Sequence, residues 1–200
     1  MLVHLLRHGE TEGGVRYWGR TNRTLSSKGW LQMRTAVAGR SWDLIVSSPL
    51  RRCAAFAETL AQELGVPCRL EADLREMSFG TWEGYSTAEL MQRDAEGLRL
   101  FWSDPSVHTP PGGEPLAELH ARVMAVWQRL STASDCRRLL IVTHGGPIRV
   151  LRAVQSRTPL SALLSIDAPH ATVIGIERLP DGSVAADAHE SRLSASAEHR

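Results

Sequence analysis

Three stretches of the chain share one pattern: a short apolar run without alternation, a cluster of small and charged residues, then a helical periodicity. Leu2 to Leu6 leads into RHGET, Leu44 to Val46 into SSPLRR, and Leu139 to Val142 into THGGP. Apolar runs that do not alternate suit strands covered on both faces, as in parallel sheets flanked by helices. The pattern predicts an α/β domain. Start signals mark the helices that follow: Ser48 before Pro49, Gly146 before Pro147, and Ser26 or Ser27 ahead of WLQMRTAVAG. In such sheets ligands bind beyond the carboxyl ends of the strands, where helix N-termini offer free N–H groups. All three polar clusters fall there.

Ser86 to Trp102 reads as one helix, Ser103 to Gly113 as a loop, and Glu114 to Leu130 as a long helix with Leu116, Leu119, Val123 and Val126 at helical spacing. Residues 86–113 are expected to form a helical cap or insertion beside the sheet. A last strand is predicted over Ala171 to Arg178, then a turn at Pro180-Asp-Gly and a polar tail over 181–200. At 200 residues the chain suits a single domain, assigned to residues 1–180.

Composition narrows the partners. Lysine plus arginine number 23 against 22 acidic residues, a formal charge of +1, and the arginines are scattered, so neither nucleic acid nor an anionic membrane is expected. Cys53, Cys68 and Cys136 are odd in number and lack metal or redox spacing, which fits a reduced, cytoplasmic setting. His4 and Arg7 interrupt the first apolar stretch too soon for a signal peptide, and no run reaches membrane-spanning length. A monomer or homodimer is expected.

The strand ends gather two imidazoles, His8 and His144, and two guanidiniums, Arg7 with Arg51 or Arg52. A cation beside His8 disfavours its protonation. Imidazoles with guanidinium forks describe a phosphate site, and flanking arginines argue against a metal ion. No GxxxxGK[ST] loop occurs. Cys68 and Arg75 are separated by six residues rather than the five a cysteine phosphatase needs, and no DxDxT-like nucleophile appears. Histidine is the nucleophile left.

RHGET at Arg7 to Thr11, SSPLRRCAAFAETL with its S-P-L-x-R pattern ending on Arg52, LREMSFGTWEG from Leu74 and VTHGGPIRVL around His144 occur in that order. Together they resemble the histidine phosphatase (phosphoglycerate mutase-like) superfamily; TPPGGEP at Thr109 to Pro115 and the compact length are most similar to its α-ribazole phosphatases of cobalamin synthesis. The resemblance implies a three-layer α/β/α sandwich with a mostly parallel central sheet. It makes His8 the nucleophile, with Arg7, Arg52 and His144 around the phosphoryl oxygens and Glu76 as general acid, then base. It selects Arg52 over Arg51, which points roughly 100° away around a helix. No metal or organic cofactor is required, and the partner is a small phosphomonoester.

Glu83 in WEG is the other candidate acid, with a role in the turn as its alternative. Gly14 stands where the superfamily usually carries asparagine, so Asn22 or Arg16 is a candidate replacement. Gly145 for close backbone approach, Tyr17 and Trp18 for stacking on a flat base, and Glu114 at the entrance complete the substrate-binding candidates, with helix capping the alternative for Glu114. His108 and His170 fall in loops that could border the crevice, but loop histidines are more often solvated than functional, and neither receives a role. A broad phosphatase, a bisphosphoglycerate-dependent mutase and a catalytically silent phosphate-binding module are the competing functions. The chain lacks the longer covering segment that would keep water from a mutase's phosphohistidine.

Overall fold

In the computed structural model the described residues are 1–130, 136–179 and 181–185. The three apolar runs become adjacent parallel strands: β1 (Leu2–Arg7) beside β4 (Arg138–Thr143), and β4 beside β2 (Leu44–Ser47). β3 (Cys68–Leu70) adds a parallel edge next to β2, and β5 (Val173–Glu177) runs antiparallel to β1 at the other edge, giving the order β3-β2-β4-β1-β5.

Alternate side chains of the strands go to opposite faces. Val3, Leu5, Leu139 and Ile141 pack with Leu119, Val123 and Val126 of α5 (Leu116–Arg129) and Ile148 and Leu151 of α6 (Gly145–Ser156). Leu6, Ile45, Leu140 and Val142 pack with Met33 of α1 (Ser27–Val37) and Phe56 and Leu60 of α2 (Arg51–Leu64). The result is the α/β domain that the run pattern predicted, in the three-layer α/β/α form that the resemblance implied, because each central strand carries apolar residues on both faces.

Local chemistry moved several boundaries. The helix predicted over Ser86 to Trp102 is two, α3 (Thr87–Arg93) and α4 (Ala95–Ser103). Asp94 breaks it with φ −152°, ψ 56°; its carboxylate accepts from Gly97 N at 3.1 Å and from Trp82 Nε1 at 2.9 Å. Ser26, not Ser27, caps α1, accepting from Gly29 N at 3.0 Å. α2 begins at Arg51 rather than at Pro49, because its first amide is capped by Asn22 Oδ1 at 2.8 Å, a side chain 29 residues away. β3 was not foreseen, and the last strand is shorter than Ala171 to Arg178. Leu179 and Ser183 close the predicted turn with Gly182 at φ 89°, while Pro180 and residues 186–200 of the predicted tail lie outside the described residues.

Replacing Asp94 by alanine removes a cap and the partner of a buried indole N–H, an expected loss of about 1–2 kcal/mol. A urea midpoint equal to that of the parent chain would contradict this account of the break.

Candidate active site

Register brings the motifs together. Arg7 pairs with Thr143 and Ser47 with Val142, so β1, β4 and β2 end nearly level. His8 N then donates to Thr143 O at 3.0 Å and Ser48 N to Val142 O at 2.9 Å, which sets His8, His144 and Ser48 side by side at the strand tips. Close backbone packing fixes the loop after β1: a Cβ on Gly9 would stand 2.3 Å from Gly29 O.

The tautomers of the two imidazoles follow from their partners. His8 Nδ1 lies 2.8 Å from Gly9 O, an acceptor only, so Nδ1 carries the proton and Nε2 keeps a free lone pair. His144 Nδ1 accepts from Arg52 Nε at 3.1 Å, and its Nε2 is 2.7 Å from Ser48 Oγ, to which it donates. The ring centroids are 5.1 Å apart. Burial, reinforced by the Arg52 and Arg7 guanidiniums, holds both rings well below the ordinary histidine range, so both are neutral at physiological pH.

Arg52 is 1% exposed, whereas Arg51 faces solvent. Its guanidinium donates to Thr21 O at 2.9 Å and Gly19 O at 2.6 Å. Arg7 donates through Nη1 to Ala168 O, and its buried Nε has no hydrogen-bond partner. Burial lowers Arg7 to about 10, where it is still a cation at neutral pH.

Glu76 Oε1 accepts from Gly146 N at 3.0 Å in the first turn of α6 and from Met77 N at 3.0 Å. It stands between two hollows. One, of about 260 Å³, is lined by Arg7, His8, Arg16, Arg52, Arg149 and His170 among others. The second, of about 440 Å³, is walled by Phe79, Phe101, Trp102, Leu116, Leu119 and Leu163 among others. Glu76, Arg149, Tyr17 and Phe79 line both. Among the described residues, no three His, Cys, Asp or Glu side chains are grouped so as to hold a metal ion.

Several sequence candidates fall elsewhere. His144 touches His8 and Arg52 but does not line either hollow, and both its ring nitrogens are engaged by protein. Asn22 caps α2 instead of facing the crevice. Glu114 is clamped by Arg122, Nε to Oε1 at 2.7 Å and Nη2 to Oε2 at 2.9 Å, and lies behind the site. Arg122 also donates to the carbonyls of Asp73, Arg75 and Glu76, so the pair positions the segment bearing Glu76. Glu83 accepts from the amides of Arg20 and Thr21 at 2.8 Å each and holds the loop that binds Arg52. Gly145 leaves room for a guanidinium rather than a ligand: its Cβ would meet Arg149 Nη1 at 2.8 Å. Trp18 borders the crevice, but Arg23 covers its ring at 4.5 Å and its Nε1 donates to Gly14 O at 2.9 Å. Tyr17 packs on Phe79 and accepts from Trp102 Nε1 at 3.1 Å. Arg16 lines the crevice, paired with Glu89 at 2.5 Å. Sequence analysis missed Arg149, three residues past the THGG motif in VTHGGPIRVL, and left His170, a loop histidine that belongs to no motif, without a role, whereas both line the crevice.

The family model of the histidine phosphatase superfamily (branch 1) matches residues 3–189. The chain belongs to that superfamily. A bifunctional protein of Mycobacterium tuberculosis is 39% identical over 153 residues, covering 74% of this chain and 42% of that relative, so the chain spans well under half its length. The adenosylcobalamin/α-ribazole phosphatase of Salmonella typhimurium is 33% identical over 82% of this chain and 83% of its own. Glucosyl-3-phosphoglycerate phosphatase of Mycolicibacterium vanbaalenii is 34% identical over 78% and 74% respectively. The crystal structure of α-ribazole phosphatase from Shigella flexneri superposes with a TM-score of 0.80 at 28% identity, covering 94% of this chain and 95% of that one. The sheet of this superfamily member thus has the phosphoglycerate mutase-like form. No helix among its described residues is long and apolar enough to cross a membrane.

The neutral imidazoles make stability depend on pH. In the unfolded chain each titrates near 6.5, whereas the folded values of His8 and His144 lie well below. Their contribution is therefore complete above pH 6.5 and is lost as pH falls toward the folded values, by up to about 1.4 kcal/mol per pH unit for each ring. Denaturant titrations at pH 6.5 and 5.5 should show a shallower loss for His144→Gln than for the parent; equal losses would mean that His144 is charged in the folded state.

Proposed function

We propose that this histidine phosphatase hydrolyses phosphomonoesters through a phosphohistidine on His8, and that its substrate is α-ribazole 5′-phosphate or the corresponding cobamide. The observation that carries the reading is the place of Glu76, at the junction of a cationic crevice and an apolar, aromatic-walled cavity. A phosphoryl group in the first and an aromatic leaving group in the second would put the bridging oxygen beside that carboxyl.

His8 Nε2 attacks phosphorus, the ester P–O bond breaks, and Glu76 gives its proton to the departing alcohol oxygen. Arg7 and Arg52 stabilise the charge on the transferred oxygens. His144 fixes Arg52 through its Nδ1, so it acts as a positioning residue. Water, deprotonated by Glu76, then attacks phosphorus; the N–P bond breaks and inorganic phosphate leaves. The carbonyl at Nδ1 of His8 selects the tautomer with Nε2 free, which the first step requires.

Two groups of relatives frame the substrate. α-Ribazole carries a flat, apolar benzimidazole, which suits walls of Phe79, Phe101 and Trp102. The hydroxyl-rich, anionic organic part of glucosyl-3-phosphoglycerate would find Arg149 and Tyr17 there, but its remaining polar groups would face mostly Phe, Trp and Leu side chains.

In metal-free buffer, turnover of α-ribazole 5′-phosphate should exceed that of glucosyl-3-phosphoglycerate and 3-phosphoglycerate, with His8→Ala inactive and Glu76→Gln slowed about 100-fold or more. Unchanged activity of His8→Ala would end the mechanism. Preference for glucosyl-3-phosphoglycerate would end only the choice of substrate.

A further inference from the structure

His170 is a third imidazole at the crevice. Its ring centroid lies 5.1 Å from that of His8, with the planes at 71°, and it lines the crevice with Arg7, Arg52 and Arg149. Its backbone is held in place. The next residue, Ala171, sits at φ 50°, in the left-handed region that disfavours a side chain, and its N–H faces Arg7 O at 3.1 Å and His8 O at 3.3 Å. The same segment turns the carbonyls of Ile166 and Ala168 toward Arg149 and Arg7. A conformation disfavoured for alanine is thus kept beside the nucleophile, and it seats an imidazole there.

We propose that His170 binds a phosphoryl oxygen directly, taking up a proton from solvent as the phosphate dianion enters the crevice. The inference rests on the phosphatase reading of this site.

The groups facing His170 explain why the ligand would protonate it. Burial comes first, then the Arg7 and Arg52 guanidiniums, and together they bring its pKa down to about 4, against a hydrogen bond to Gly9 and the Glu10 carboxylate acting the other way. Arg149 and the neutral His8 ring share the crevice. An opposite charge within about 4–6 Å strengthens proton binding by roughly ten- to a thousandfold, and a dianion brings two charges. That suffices to carry a group from about 4 to neutrality. Gly14, at φ 76°, lines the same crevice without a side chain to donate.

Calorimetric titration of the parent and His170→Asn with inorganic phosphate, at pH 7 in buffers of low and high ionisation enthalpy, counts the protons taken up per phosphate. The parent should take up roughly one proton more than His170→Asn and bind phosphate about tenfold more tightly, since asparagine donates a hydrogen bond but accepts no proton. His170→Gln, which keeps more of the bulk, should match His170→Asn in proton uptake. Equal uptake in the parent and in either folded variant would overturn the proposal, even with weakened affinity, and would leave His170 as packing against His8. Absence of phosphate binding by the parent would instead overturn the phosphatase reading itself, and this inference with it.

Discussion

The site depends on one buried and two half-buried guanidiniums that are satisfied by carbonyl oxygens rather than by carboxylates. Arg7 donates to Ala168, Arg52 to Gly19 and Thr21, and Arg149 to Ile166. A carbonyl accepts the hydrogen bond without cancelling the charge, so the cations are fixed in place and still electropositive. Burying them so is costly unless an anion arrives. Burial keeps His8 and His144 neutral, the same guanidiniums reinforce it, and neutrality is what leaves Nε2 of His8 with a lone pair. The guanidiniums that would attract an anion thus also help to leave His8 with a free ring nitrogen.

Arginines elsewhere show the contrast. Arg122 is neutralised by Glu114 and serves to hold the backbone from Asp73 to Glu76, fixing the carboxyl at the junction of the two hollows. Glu83 does the same for the loop whose carbonyls hold Arg52. These acidic groups lie one layer behind the crevice, where they order its walls without reducing its charge. Ser48, His144 and Arg52 form a comparable relay: the hydroxyl accepts from one nitrogen of His144, and the other nitrogen accepts from Arg52.

What was legible in the sequence was whatever a local pattern encodes. Apolar runs ending in polar clusters marked β1, β2 and β4 and the crevice at their tips, and the S-P-L-x-R pattern chose Arg52. Less legible were features settled by distant partners. The edge strand β3 is three residues long, with two of them exposed, so no buried run announced it. The break at Asp94 depends on Trp82, and the cap of α2 on Asn22. Glu114 looked like an entrance residue until Arg122, one helix away, claimed both its oxygens. His170 was legible only as one of two loop histidines near the crevice, because its position rests on the loop before β5 and on the backbone of Arg7 and His8.

The central claim is that burial, reinforced by the Arg52 and Arg7 guanidiniums, holds His8 neutral, and that the Gly9 carbonyl keeps its proton on Nδ1. Nitrogen NMR of the protein labelled at histidine, with His8 assigned by its loss in His8→Asn, reads this directly at pH 6. The account predicts the neutral Nδ1–H form. An imidazolium signal, or a neutral ring protonated on Nε2, would contradict it.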